Sequence, residues 1–237
     1  YSTYKFFARK MLHKINTNYF LSFLFFSSIP FAQNENLIEE VIVTATKTEK
    51  TLQEVPVAVS VVSGDTIEKA NIIDILDLKA VVPSLDTRQR TTSTQTTFFI
   101  RGFGNGSNNP GVEPSVALFV DGVYRSKTQS QISDLPMLER IEVLRGPQST
   151  LFGKNASAGV INIVTKKPSF EESTMISAGI GKYNSRVGKI YTTGPLSDTT
   201  AYSFNANFNK RDGHSDNPVT GNSVNYRDRF GIWAELL

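Results

Sequence analysis

The stretch that decides the fold of this chain is Leu135-Pro136-Met137-Leu138-Glu139-Arg140-Ile141-Glu142-Val143-Leu144-Arg145-Gly146-Pro147-Gln148-Ser149-Thr150-Leu151-Phe152-Gly153. Its first half, Leu135 to Leu144, reads as a strand whose apolar and polar residues alternate imperfectly. Its second half carries no nucleophile elbow, because Ser149 lacks flanking glycines at the required spacing and no suitable histidine exists in the chain. A few residues on, Val160 to Val164 is a second apolar run, bounded by Lys166, Lys167 and Pro168.

Upstream, Val116 to Val120 and Val123 to Arg125 flank Asp121-Gly122, a strong hairpin signal. Thr96 to Ile100 reads as a strand running into Arg101-Gly102-Phe103-Gly104-Asn105-Gly106. The spacing of those glycines lacks the third glycine of a dinucleotide fingerprint, and no G-K-[ST] follows, so a tight loop is expected and not a phosphate cradle. Val55 to Val62 reads as a strand, and Ser63-Gly64-Asp65, with Glu68 following, as a turn capping a helix. Ile72, Ile75 and Leu76 fit one face of a second short helix, which Pro83 stops. Short helices among strands make residues 51–168 a small α+β domain.

Past Pro168 the period changes. Tyr202, Phe204, Ala206 and Phe208 alternate with Ser203, Asn205, Asn207 and Asn209, and Phe230, Ile232, Ala234 and Leu236 repeat the pattern against Arg229, Gly231, Trp233 and Glu235. This is the pattern of strands facing lipid on one side and a wet lumen on the other, and equally of a soluble sandwich. Met175 to Gly181 and Arg186 to Thr192 are earlier strands with weaker alternation, and Gly194 to Asp198 is expected to be a turn. About four strands fit in residues 169–237.

The N-terminal end reads as a secretory leader over residues 1–32. Lys5, Arg9, Lys10 and Lys14 precede an apolar run from Tyr19 to Phe31, which is shorter than the ~20 residues of a spanning helix. The chain opens at Tyr1, so the start is expected at Met11 or upstream. Within residues 33–50, Gln33 to Ile38 is a polar spacer before Glu40-Val41-Ile42-Val43-Thr44-Ala45, a β-branched segment with polar flanks. Such a segment suits an extended backbone outside a sheet centre and can add itself to a partner's sheet edge, although an ordinary first strand has the same composition.

Composition excludes several functions. The chain has 25 basic and 22 acidic residues, but the four leader bases account for the excess; the remainder carries one more acid than base, so no nucleic-acid partner is expected. With no cysteine and only His13 and His214, neither a thiolate or histidine metal site nor a catalytic triad can be assembled, and no cofactor is expected. Paired acids such as Glu171-Glu172 read as solvated linker charges, and the sequons at Asn105 and Asn155 as chance.

The long stretch quoted first, continued by Ala158-Gly159-Val160-Ile161-Asn162-Ile163-Val164-Thr165-Lys166, closely resembles the plug of TonB-dependent outer-membrane receptors. Glu40 to Ala45 is similar to that family's TonB box, and Ile100-Arg101-Gly102 and Val120-Asp121-Gly122-Val123-Tyr124 resemble two further plug signatures in the family's order. The resemblance implies an α+β plug of mixed sheet and short helices, followed by the first antiparallel strands of a transmembrane barrel of roughly 22 strands, continuing beyond residue 237. It implies TonB as a partner through Glu40, Val41, Ile42, Val43, Thr44 and Ala45. Arg101 and Arg145 are implied to latch the plug onto barrel glutamates, with Gly102, Asp121, Gly122, Gly146, Pro147 and Gly153 as plug-motif positions.

The function implied is energised import across the outer membrane of a scarce extracellular ligand. A ferric siderophore or other iron complex leads, with haem, cobalamin, nickel chelates and glycans as alternatives, and outer-membrane lipid surrounds the barrel. No covalent chemistry is implied. Two rivals stand beside it: a signalling transducer, for whose extra domain Gln33 to Ile38 leaves too little chain, and a freestanding periplasmic binding or adhesion module, which would require the reading frame to end near Leu237.

Overall fold

The computed structural model describes residues 42–44, 50–89, 96–104, 112–126 and 134–237. The expected leader, Gln33 to Ile38, and Glu40, Val41 and Ala45 of the expected coupling segment lie outside the described residues. The strands of the N-terminal domain are β1 (Ile42–Val43), β2 (Lys50–Thr51), β3 (Val59–Ser63), β4 (Leu85–Gln89), β5 (Thr96–Ile100), β6 (Phe103–Gly104), β7 (Val116–Val120), β8 (Val123–Tyr124), β9 (Leu138–Arg145) and β10 (Gly159–Thr165). Helices α1 (Gly64–Lys69) and α2 (Ser149–Phe152) and 3-10 helices at Leu52–Glu54 and Ile75–Ala80 lie between them.

The deciding stretch forms the middle of a five-stranded sheet in the order β3-β9-β10-β7-β8. It is mixed: β10 pairs parallel with β7 and antiparallel with β9. Both faces are covered. Val62, Leu118, Ile141, Val143, Ile161 and Ile163 pack with Ile67, Ile75, Leu78, Leu85, Phe98 and Ile100 in one core. Leu144, Val160, Ala117 and Phe119 belong to a second core on the other face, together with Val43, Val55 and Ala156. Two-sided burial explains why β9 alternates imperfectly in sequence, since such strands read as near-continuous apolar runs. The exception in β9 is Glu142, a fully buried carboxylate.

Several boundaries differ from expectation for local reasons. The first long strand starts at Val59 and not Val55, because Leu52–Glu54 takes a 3-10 turn and Val55 joins the second core. Helix α1 begins at Gly64 with Ser63 as its cap, Ser63 Oγ accepting from the Thr66 amide, so Asp65 lies inside the first turn. The second helix is 3-10, capped by Asp74, and it buries Ile75 and Leu78 while Leu76 is only half-buried. Strand β4 lies outside the sequence expectations: Leu-Asp-Thr-Arg-Gln has little β-branched content, and the strand forms by pairing with β5 while Thr87 Oγ1 donates to the Leu76 carbonyl.

Beyond Pro168, β11 (Ser173–Gly181), β12 (Ser185–Ser197), β13 (Thr200–Arg211) and β16 (Arg227–Leu236) form a continuous antiparallel sheet in the order β11-β12-β13-β16. A two-residue ladder, β14 (Ser215–Asp216) with β15 (Ser223–Val224), sits in the connection before β16. The expected turn at Gly194 to Asp198 is mostly strand: β12 pairs on to Ser197 through a register shift between Pro195 and Ser197, which accommodates the proline's missing donor. Register places Tyr191, Asn205 and Trp233 across one face and Ile190, Ala206 and Ile232 across the other. The second face is apolar and open, with Ile176, Phe208, Phe230, Ile232 and Leu236 exposed, whereas Tyr191, Thr193, Ser203, Asn205 and Asn209 on the first are buried.

Candidate functional site

Ile42–Thr44, the described part of the segment expected to couple to TonB, is docked. Strand β1 pairs antiparallel with β2, Ile42 opposite Thr51 and Val43 opposite Lys50. Alternation along two residues points Ile42 outward, half exposed, and buries Val43 completely in the second core. The polar flanks predict a segment away from the centre of a sheet, and β1 lies in a two-stranded ladder; one β-branched side chain nevertheless suffices to seat it on the second core. Burial of one valine contributes about 1.5–3 kcal/mol.

Thr44 then meets Glu142. The Thr44 amide donates to Glu142 Oε1 at 2.8 Å, and Thr44 Oγ1 donates to the same oxygen at 3.1 Å. The carboxylate also accepts from Arg140 Nε at 2.8 Å and from Asn162 Nδ2 at 3.2 Å. Asn162 sits opposite Glu142 in the β9–β10 register, and its amide reaches Thr44 Oγ1 as well, at 3.1 Å. Arg140 pairs in addition with Glu139. A buried charge is tolerated when its lone pairs are filled this way. Sequence reading missed Glu142, which reads as one of several polar positions in an imperfectly alternating strand.

The motif residues shape turns. Asp121 and Gly122 have φ of 48° and 77°, the pair of positive values that a two-residue hairpin between β7 and β8 requires. The Asp121 carboxylate accepts from the Thr165 amide and hydroxyl, both at 2.8 Å, tying the hairpin to the end of β10. Arg101 and Gly102 make a like turn between β5 and β6, with φ of 52° and 80°. Gly146 and Gly153, with φ of 91° and 84°, bracket exposed Pro147 and the short α2. Arg101 is exposed and Arg145 half-buried, and among the described residues neither meets a carboxylate at ion-pair distance. Arg145 Nε faces the Ala58 carbonyl at 3.5 Å.

A different set of charges joins the domain to the four-stranded sheet. Arg229 Nη1 lies 2.6 Å from Asp74 Oδ2 and 3.1 Å from Asp134 Oδ1, and Arg227 Nη2 lies 3.2 Å from Asp74. Lys189 Nζ donates to the Pro136 carbonyl at 3.1 Å, and Asn207 Nδ2 to the Leu135 carbonyl at 3.4 Å. Three successive strands thus grip one loop, Asp134 to Pro136. Burial pushes the Asp134 carboxyl above its ordinary range, and Arg229 opposes that shift without cancelling it. The polarity is the reverse of the expected latch, with acids on the domain and arginines on the sheet.

Residues 51–160 match the family described as TonB-dependent Receptor Plug Domain. A pesticin receptor of Yersinia enterocolitica is 32% identical over 191 residues, covering 80% of this chain and 28% of that protein. An iron-regulated outer membrane virulence protein of Vibrio cholerae is 29% identical over 208 residues, covering 80% of this chain and 30% of that protein. Among solved structures, the ferric yersiniabactin uptake receptor FyuA from Yersinia pestis superposes with a TM-score of 0.70 at 30% identity, over 76% of this chain and 28% of that one. The ferripyoverdine receptor of Pseudomonas aeruginosa shares the fold, with a TM-score of 0.63 at 20% identity, over 74% of this chain and 23% of that one. The chain therefore spans under a third of the length of these relatives, a plug of mixed sheet followed by the opening antiparallel strands of a barrel. In sequence and in fold, this chain belongs to the TonB-dependent receptor family.

Proposed function

We propose that this chain forms the coupling segment, plug and first barrel strands of an outer-membrane receptor that imports a ferric siderophore or other iron complex by TonB-driven remodelling of the plug. The observation that carries the reading is the pairing of a weakly held segment with a firmly held domain. Ile42–Thr44 is attached by a two-residue ladder, one buried side chain and one carboxylate. The domain behind it has two apolar cores and a charged seam against the sheet. A segment that leaves at small cost, ahead of a domain that does not, suits a handle through which force is applied.

In this reading the apolar face bearing Ile176, Phe208, Phe230 and Ile232 contacts lipid and the polar face lines the lumen. Ligand arriving from outside favours plug conformations in which the handle is released, which shifts a population and does no work by itself. The released segment Glu40 to Ala45 adds as a strand to TonB in the periplasm, and the pull that follows opens a path. The iron assignment leans on the relatives' names, a ferric yersiniabactin receptor and an iron-regulated protein among them. Arg101 and Arg145 are proposed to meet glutamates of the rest of the barrel, as the family resemblance implies.

The test separates coupling from binding. Ile42 is exposed, so Ile42→Pro removes a ladder donor and fixes a dihedral with little loss to the core. In the full-length receptor, surface binding and cellular accumulation of radio-iron are measured on catecholate, phenolate and hydroxamate chelators. Ile42→Pro is expected to keep binding and abolish accumulation, while Ile42→Ala does less. Normal accumulation with proline refutes the coupling role, and equal loss of binding and accumulation signals a misfolded receptor.

A further inference from the structure

We infer that Glu142 is a holding site that keeps the coupling segment closed, an autoinhibitory contact that must break before a partner strand can be added. The inference rests on the reading of Ile42–Thr44 as part of the coupling segment. Its physical basis is competition for the same atoms. The Thr44 amide is committed to Glu142 Oε1 at 2.8 Å, and a main-chain amide that donates to a carboxylate cannot also join the ladder of an added sheet. Val43 is fully buried in the docked state, so its side chain is equally withdrawn from any partner.

The site is built for this segment. Glu142 shares its β9 face with Arg140 and Leu144 and stands opposite Asn162 of β10, at the border of the second core formed by Leu144, Val160 and Ala117, where an apolar residue would extend the packing without the cost of a buried charge. Its four described donors divide evenly: Arg140 Nε and Asn162 Nδ2 come from the sheet, the Thr44 amide and hydroxyl from the segment. When the segment leaves, the sheet retains Arg140 and Asn162 to hold the charge, and water takes the vacated positions. The carboxylate is thus satisfied in both states, as a two-position contact requires, whereas the segment is bound only in one.

Because these four groups all donate to Glu142, glutamine is the informative replacement. In Glu142→Gln the amide oxygen can keep the Oε1 place before Thr44 and Arg140 while the NH2 group takes the Oε2 place facing Asn162 Nδ2, so the charge-assisted bonds to Thr44 become neutral ones and the contact weakens with little change in volume. The chain contains no cysteine, so Val43→Cys serves as a reporter of release, with any cysteine elsewhere in the full-length receptor replaced by serine. Maleimide labelling of that thiol is followed in the detergent-solubilised full-length receptor without ligand, and barrel folding is checked by heat-dependent gel migration.

In the Val43→Cys background, Glu142→Gln is expected to speed labelling at position 43 about tenfold, and Thr44→Val, which keeps the amide but loses the hydroxyl, about threefold. An unchanged rate in folded Glu142→Gln receptor overturns the inference. Should that variant fail to fold, Thr44→Val decides alone: a faster rate supports the holding site and an unchanged rate refutes it. Binding of the soluble periplasmic domain of TonB is measured on the same solubilised receptor. Faster labelling without tighter TonB binding keeps the holding site and refutes the coupling reading, so the two can fail separately.

Discussion

Removing Arg229 tests whether the charged seam fastens the plug to the sheet. Asp74 is fully buried and Asp134 nearly so, and Arg229 serves both, at 2.6 and 3.1 Å. In Arg229→Ala, Asp74 keeps Arg227 at 3.2 Å and the Leu76 amide at 2.9 Å, whereas Asp134 is left with a more distant positive charge. Stripping one partner from a buried ion pair costs about 3–5 kcal/mol, and the surviving Asp74 contacts argue for the lower end, about 3 kcal/mol at pH 8. The loss is local, so hydrogen exchange is the assay. The Leu135 amide donates to the Ile73 carbonyl at 3.2 Å and the Leu76 amide to Asp74, and both bonds lie where the two acids meet. In the full-length receptor their exchange is expected to accelerate about a hundredfold in Arg229→Ala, by conversion of 3 kcal/mol. Removing the charges together, as Asp74→Asn, Asp134→Asn, Arg227→Met and Arg229→Met, is expected to restore most of the protection, because no unpaired charge remains in the seam. Acceleration of less than about fivefold, erased by salt, would mean that the seam is a solvated surface pair and would refute the reasoning.

Asp134 makes receptor stability pH-dependent in a defined direction. Its carboxyl is raised in the folded state, so between the ordinary carboxylate range and that raised value the folded protein holds more protons than the unfolded, and stability falls as pH rises; Asp134→Asn is expected to flatten that part of a urea-midpoint profile. Asp121→Ala removes both acceptors of Thr165 at an exposed turn and is expected to cost about 1 kcal/mol, read as a lowered urea midpoint of the full-length receptor at pH 8, with no change if the turn is held by its glycine alone.

What is legible in the sequence is what periodicity and turn chemistry govern. Thr96–Ile100 and Val116–Val120 have the bounds expected because each is a dense apolar run beside residues that can adopt positive φ. The two later strands are legible because Tyr202 to Asn209 and Phe230 to Leu236 alternate without a break, and the register confirms that each set shares a face. Strand β12 runs longer than its sequence suggests because Gly194-Pro195 is a turn signal locally, whereas a long antiparallel partner and a register shift carry the chain through it. Here tertiary pairing overrides local preference.

The candidate site is legible only by half, and the missing half has a common cause. Glu142 looks like an ordinary polar position of an imperfect strand, since nothing local distinguishes an acid facing solvent from one facing a buried amide 98 residues away in sequence. Asp74, which sequence reading did not single out, caps the 3-10 helix: its Oδ1 accepts from Leu76 while its Oδ2 is left for Arg229, 155 residues later. One carboxylate thus satisfies a local rule with one oxygen and a long-range contact with the other, and local patterns register only the first. Arginine is expected on the plug because the family motif supplies Arg101 and Arg145, yet the described seam carries its acids there. The strands that supply the opposing charge are read correctly as alternating, but alternation assigns a residue to a face and not to a partner. It follows that the polar residues of such strands, Lys189, Asn207, Arg227 and Arg229 here, are best read as ligands for whatever fills the lumen. Their complement must be sought among plug residues that already have a local role.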